Sequence, residues 1–187
     1  MISEEYKKQL QELHSRESGW GTTAEWVLKD VLSCIENNKP KSLLDYGAGK
    51  GTLSRALKDK NLDLFEYDPG IPEKSNTPEP ADLVCCIDVL EHVEPDQVDN
   101  VLKDLQRVVK DKGFFLISLI PAMSILPDGR NAHILLESPQ WWYGKIEKYM
   151  KIDECLVYPL VEDKAFNYFD QENYPYHHMK VFVSCNS

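Results

Sequence analysis

Three glycines fall within five residues at Gly47-Ala48-Gly49-Lys50-Gly51, between a short apolar run and the start of a helical pattern. Leu43 and Leu44 read as a buried strand that ends at Asp45-Tyr46, the glycines as a tight turn, and Thr52 onward as an opening helix. Lacking Cβ atoms, such a turn takes conformations closed to other residues and lets its amides approach a ligand. Lys41 to Ser54 is therefore expected to be a nucleotide-binding turn. A dinucleotide fingerprint, G-x-G-x-x-G, would put its third glycine where Thr52 stands. A P-loop needs a hydroxyl residue after its lysine, and Lys50 is followed by Gly51. Asp45, just before the glycines, would repel a pyrophosphate and suits a cationic ligand with a free amino group.

An acid and a G-x-G after the first strand resemble motif I of the class I S-adenosylmethionine-dependent methyltransferases. Leu62 to Tyr67 reads as the second strand, followed by Asp68, where that family carries the acid that grips the ribose hydroxyls. Ala81 to Val93, ADLVCCIDVLEHV, looks like the family's fourth strand and its D-x-L-E-H loop. The resemblance implies an α/β fold: a Rossmann-like, doubly wound, mostly parallel sheet in three α/β/α layers, with an antiparallel C-terminal strand pair. It implies S-adenosyl-L-methionine as cofactor, held by Asp45, Tyr46, Gly47, Ala48, Gly49 and Asp68, with Pro69 beside the ribose acid. Asp88, Glu91 and His92 would face the methionine end, with Ile87 and Val89 as further cofactor-binding residues. For Glu91 and His92, capping and hydrogen bonding at the start of the following helix is the rival reading, and for His92 it is the preferred one.

The 187 residues suit one domain, with residues 1–40 as a helical lid and 41–187 as the core. A net charge of −10 argues against a large phosphate-binding surface, so DNA is not an expected partner. No apolar run approaches a membrane span, the N-terminal MISEEYKKQL lacks a signal-peptide core, and five cysteines without C-x-x-C fit reduced thiols; a cytoplasmic location is expected. No metal site is expected, because the adjacent pair His177-His178 has no supporting Cys or acid at ligand spacing.

Glu4 to His14 and Thr23 to Glu36 are expected helices, the second with Leu28, Val31, Leu32 and Ile35 on one face. In the family such an N-terminal segment often closes over the cofactor, so His14, Trp20 and Gly21 are candidates to line the pocket; Trp20 stapling the first helix to the body is the equal alternative. Asp68 to Ala81 carries four prolines and no hydrophobic period, so the family's third strand is expected to be missing. Ile71 and Pro72 then stand in as an adenine wall.

Val98, Val101, Leu102, Leu105, Val108 and Val109 form one helical stripe, and Gly113 to Ile120 a strand covered on both faces. The loop after that strand leaves on the ligand-binding side of a parallel sheet. Asp128, Arg130 and Asn131 are therefore substrate candidates, and His133, with an ordinary pKa near 6.5, is the candidate catalytic base. A plain turn cornered at Asp128-Gly129 is the alternative. Ser138-Pro139 reads as a helix start, with Trp142, Ile146 and Tyr149 facing the core and Trp141 turned toward the loop as a further substrate candidate. Lys151 to Tyr158 and Met179 to Cys185 are expected as the last two strands, joined by an aromatic loop. The expected function is methyl transfer to a small-molecule or protein side-chain acceptor by in-line displacement. A non-catalytic module that keeps the cofactor pocket, and a lyase acting on the same sulfonium, are the alternatives.

Overall fold

Strand β1 (Ser42–Tyr46) lies between β2 (Asp63–Tyr67) and β3 (Ala81–Ile87), parallel to both, and this sets the architecture. The structure is a computed structural model and describes residues 2–16, 27–159 and 175–185. Six strands form one sheet in the order β2-β1-β3-β4-β6-β5. β4 (Val109–Ser118) runs parallel to β3, whereas β6 (Tyr176–Ser184) is antiparallel to both β4 and β5 (Lys151–Pro159). The chain leaves β1 toward one edge and returns through β3 toward the other. The crevice at the C-terminal ends of β1 and β3 is thus a topological switch point, where open α/β sheets bind ligands.

Successive strand residues take opposite faces, and the apolar residues are therefore doubled. Leu44, Val84, Cys86 and Phe115 pack beneath α4 (Val98–Val108) and α5 (Pro139–Ile146). Leu43, Leu83, Cys85 and Phe114 pack beneath α2 (Leu28–Asn38) and α3 (Thr52–Leu57). The neighbours Cys85 and Cys86 accordingly sit in different layers. A smaller cluster joins Tyr6 and Leu13 of α1 (Glu4–Arg16) to Leu126 and Ala132 of the loop after β4. Ser3 fastens the start of α1, its amide and hydroxyl both donating to the Glu94 carboxylate at 2.7 Å.

Residues 68–80 contain only a 3-10 turn at Pro72–Lys74, so β2 is the sheet edge, as the prolines require. Two boundaries differ from the sequence pattern. β4 starts at Val109, because Lys110, Asp111 and Lys112 belong to the strand although they carry no apolar signal. β6 starts at Tyr176, inside the stretch expected as loop. Ser138 caps α5 through its Oγ, which accepts from Trp141 N, with Pro139 in the first turn; Tyr149 falls beyond that helix. Among the described residues no helix is long and apolar enough to cross a membrane.

Candidate functional site

The glycine turn is tied to the end of β2 before any ligand arrives. Gly47 N and Ala48 N donate to Tyr67 O at 2.7 and 2.9 Å, and Gly49 N donates to Asp68 Oδ2 at 2.8 Å. The expectation that these amides face a ligand is therefore corrected: they are spent on the neighbouring strand, and the turn offers close approach rather than donors. Gly47 is required for a second reason. Its φ is +85°, and a Cβ there would stand 2.2 Å from Val89 Cγ2. Val89 thus packs directly on the turn. Tyr46 contributes only backbone here, since its hydroxyl donates to Asp104 Oδ2 on α4 at 2.9 Å.

Asp68, 6% exposed, accepts from Gly49 N on one oxygen and from Gly70 N on the other, each at 2.8 Å. The side chains of Leu10 and His14 on α1 lie against Gly70, and His14 Nε2 stands 3.9 Å from Asp68 Oδ2. The first helix therefore covers the loop after β2. Ile71 and Pro69 are half-buried at its rim. Asp45 is 4% exposed, and its parallel register partner on β2 is Glu66. Burial, then the Glu66 charge, pushes the Asp45 carboxyl up to about 7, against the pull of Lys74. Lys74 Nζ bridges Gly49 O at 2.8 Å and Glu66 Oε2 at 2.9 Å. Glu66 and Lys74 were not singled out in the sequence; Glu66 meets Asp45 only through the pairing of two strands.

The exit of β3 is the most polar part of the crevice. Asp88 adopts φ +59°, a left-handed conformation that Asp tolerates better than most residues and that concentrates at functional sites. Its amide donates to Leu116 O at 3.0 Å. The 3-10 turn Leu90–His92 follows. Glu91 is fully buried: Oε1 accepts from Ser118 N, and Oε2 has no donor among the described residues. Burial and the adjacent Asp88 carboxylate push the Glu91 carboxyl well above the usual range. His92 Nδ1 lies 2.7 Å from Ala132 O, and His133 Nδ1 lies 2.6 Å from Ile120 O. A carbonyl can only accept, so in both rings Nδ1 carries the proton and Nε2 the lone pair. The rings meet edge to face at 4.6 Å, and His133 Nε2 is 3.8 Å from Asp88 Oδ1. Burial lowers both pKa values, His92 to about 4 with the help of His133, so both rings are neutral at pH 7. The capping role preferred for His92 is thus replaced by a pairing with His133 across the post-β4 loop.

A protein-family profile described as "Methyltransferase domain" matches residues 21–173. The chain belongs to this methyltransferase-domain family. An uncharacterized protein of Methanocaldococcus jannaschii, MJ0638, is 28% identical over 116 residues, which is 52% of this chain and 49% of that protein. This chain thus matches about half the length of that relative. Burkholderia thailandensis 1,6-didemethyltoxoflavin-N1-methyltransferase, solved with its substrate and S-adenosylhomocysteine, is similar in fold at TM-score 0.66 and 13% identity, over 100% of this chain and 92% of that one. The N-methyltransferase NodS of Bradyrhizobium japonicum, solved with S-adenosylhomocysteine, gives TM-score 0.64 and 10% identity over 97% of this chain and 100% of that one.

In this methyltransferase-domain chain the fold brings Asp45, Gly47, Ala48, Gly49, Asp68, Asp88, Val89 and His133 to one edge of the sheet. Ile87 ends β3 beneath α2 and α3. The proposed substrate residues are placed otherwise. Asn131 Oδ1 accepts from Ala122 N and His133 N, and Nδ2 donates to Ala122 O, so this amide clamps the loop and positions His133. Asp128 and Arg130 pair with one another on an exposed turn, at 2.7 Å between Arg130 Nη2 and Asp128 Oδ2, rather than projecting into the crevice. Trp141 packs against Trp142, with Lys145 Nζ 5.3 Å above its ring, on the α5 layer and not toward the loop. Trp20, Gly21 and the centre of the aromatic connection lie outside the described residues. Glu91 and His92 were legible as members of the D-x-L-E-H loop, though not the burial of Glu91 nor the meeting of His92 with His133.

Proposed function

We propose that this chain transfers the methyl group of S-adenosylmethionine to a small-molecule acceptor, or to a protein side chain, by in-line displacement. The observation that carries the reading is Asp68, held by two backbone amides beside the glycine turn in a methyltransferase-domain chain. Each oxygen keeps a second lone pair for a ribose hydroxyl. Such charged hydrogen bonds contribute about 1.5 to 3 kcal/mol each. The crevice also fits a cation: Asp45, raised to about 7 by burial first and then by the Glu66 charge, with a smaller push from Asp68, would be drawn into its ionised form by a positive ligand. Pro69 and Ile71 would rim the adenine, and Ile87, Asp88 and Val89 the methionine end.

S-adenosylmethionine supplies an electrophilic methyl on a sulfonium. The chain's own part is alignment, which can contribute about 7 to 11 kcal/mol. His133, neutral and with Nε2 3.8 Å from Asp88 Oδ1, would be the base for an acceptor hydroxyl. No covalent intermediate is needed, and burial pushes the Cys85 and Cys86 thiols well up, away from nucleophilic use. A net charge of −10 favours acceptors other than nucleic acid, and free cysteines fit a cytoplasmic setting.

The test is turnover of methyl-labelled cofactor to S-adenosylhomocysteine against a panel of hydroxyl and amine acceptors. Label recovered in an acceptor supports transfer; binding without turnover across the panel favours a non-catalytic module, and sulfonium breakdown without a methylated product favours a lyase. Asp68→Ala should weaken cofactor affinity at least tenfold, about 1.4 kcal/mol, by calorimetry. Unchanged affinity would remove the ribose assignment.

A further inference from the structure

The cluster at the exit of β3 has a feature that proton transfer alone does not explain. One ligand atom from each of Asp88, His92 and His133 lies within 4.8 Å of the other two. Each imidazole sets its Nδ1 on a backbone carbonyl, His92 on Ala132 O at 2.7 Å and His133 on Ile120 O at 2.6 Å. That is how metal-binding histidines are ordinarily held, because the outer hydrogen bond fixes the tautomer and the ring plane. Behind them, Glu91 is fully buried, with one oxygen on Ser118 N and the other lacking any donor among the described residues. A buried carboxyl oxygen without a donor among the described residues, set beside a second carboxyl group and two imidazoles, is a group that a bound cation would satisfy.

We propose that Asp88, His92 and His133, with Glu91 completing the set, bind a divalent transition-metal cation. Two imidazoles and two carboxylates suit Mn2+, Fe2+ or Co2+ better than the all-oxygen shell of Ca2+ or the thiolate shell of structural zinc. The strained backbone of Asp88 and the clamp of Asn131 on His133 N then act as supports that hold ligands 45 positions apart in sequence in one place. With four protein ligands, an octahedral cation would keep two positions for water or an acceptor oxygen.

This use of the cation rests on the methyl-transfer reading, and it narrows the acceptor to one that binds through oxygen. An acceptor hydroxyl bound to the cation loses its proton to solvent more readily. Its oxygen lone pair then forms the new O–CH3 bond as the C–S bond breaks, and that bond's electron pair returns to sulfur, leaving a neutral thioether. His133 is a ligand in this scheme rather than the base.

The experiment is a titration of chelator-stripped protein with Mn2+, followed by the loss of the free-ion paramagnetic resonance signal, and in parallel with Co2+ by visible absorption. One equivalent is expected to bind, with Glu91→Gln, Asp88→Asn and His133→Ala each weakening it at least tenfold. Asp99→Asn, which loosens the contacts of Asp99 with Lys145 and Tyr149 away from the cluster, should leave it unchanged. Circular dichroism checks that each variant is folded, and the half-exposed Asp88 site serves if the buried Glu91 variant is not. Wild-type protein that leaves both ions free at millimolar concentration, or folded variants that bind as well as wild type, would overturn the site. Cofactor affinity is measured separately: cofactor binding without metal binding removes this inference alone, and metal binding without cofactor binding removes the methyl-transfer reading alone. With both present, chelation should abolish transfer to hydroxyl acceptors, and Mn2+ should restore it.

Discussion

Asp45 carries a conflict that is visible in its surroundings. It sits in β1 at 4% exposure, opposite Glu66, and its carboxyl is raised from an ordinary 3.8 to about 7 by burial first and by Glu66 second. An acid whose folded pKa is raised holds more protons in the native state than in the unfolded one. Stability from this group is therefore full below about pH 4, falls as pH rises toward 7, and levels off above it. Under the proposed function, the cationic cofactor would offset the cost of the ionised form. Asp45→Asn should thus raise the melting temperature at pH 8, by a stabilisation of up to about 4 kcal/mol, while changing it little at pH 4. The same variant should bind the cationic cofactor more weakly. Equal melting shifts at both pH values would show that Asp45 is not ionised against its surroundings. At this scale, Asp68 and Asp88 were legible because each follows a strand that the apolar pattern marks. Glu66 and Lys74 were not, since their meaning arises only when β1 and β2 align and Lys74 reaches back to Gly49 O.

Among the described elements, α1 packs in the smallest of the three apolar clusters and lies beside Asp68. It meets the body through Tyr6 and Leu13 on Leu126 and Ala132, and through Ser3 on Glu94, while Leu10 and His14 lie against Gly70 beside Asp68. Removing the buried Leu13 side chain would cost about 2 to 5 kcal/mol in a rigid core. A lone helix on a small cluster has a cheaper route, which is to open locally. Leu13→Ala is accordingly expected to speed amide exchange along α1 by at least a hundredfold, with β1, β3 and β4 still protected and cofactor dissociation faster. Loss of protection throughout the sheet would mean instead that α1 is part of the global core. The pattern of apolar residues located α4, the Ser138-Pro139 start of α5 and the absent third strand. It misplaced the ends of β4 and β6, because strand ends that carry Lys110, Asp111, Lys112 and His177 satisfy their backbone in the sheet without any apolar period. The loop residues Asp128, Arg130 and Asn131 looked like ligand contacts for a related reason: sequence shows which polar groups a loop carries but not which of them it spends on itself.

Over the whole molecule, charge is distributed to one purpose more than its total suggests. The chain carries −10, and Glu66, Asp68 and Asp88 stand at the C-terminal edge of the parallel strands, with Asp45 adding its charge above about pH 7. Low-dielectric walls focus such a field along the crevice, so a cation is drawn in from beyond contact distance. S-adenosylmethionine bears a net positive charge near neutral pH, whereas S-adenosylhomocysteine, its sulfur neutral, bears none. The field should therefore speed arrival of the first and not of the second, and screening should cancel the difference. As salt rises from 10 to 150 mM, the screening length falls from about 30 to about 8 Å. The association rate of S-adenosylmethionine is expected to drop several-fold over that range in stopped-flow fluorescence, while that of S-adenosylhomocysteine stays nearly flat. Dissociation of the uncharged product then needs no work against the field, so the acids that gather the substrate also favour exchange after transfer. If both ligands showed the same salt slope, the acids at the strand ends would be acting only in contact, and the net charge would have no part in capturing the cofactor.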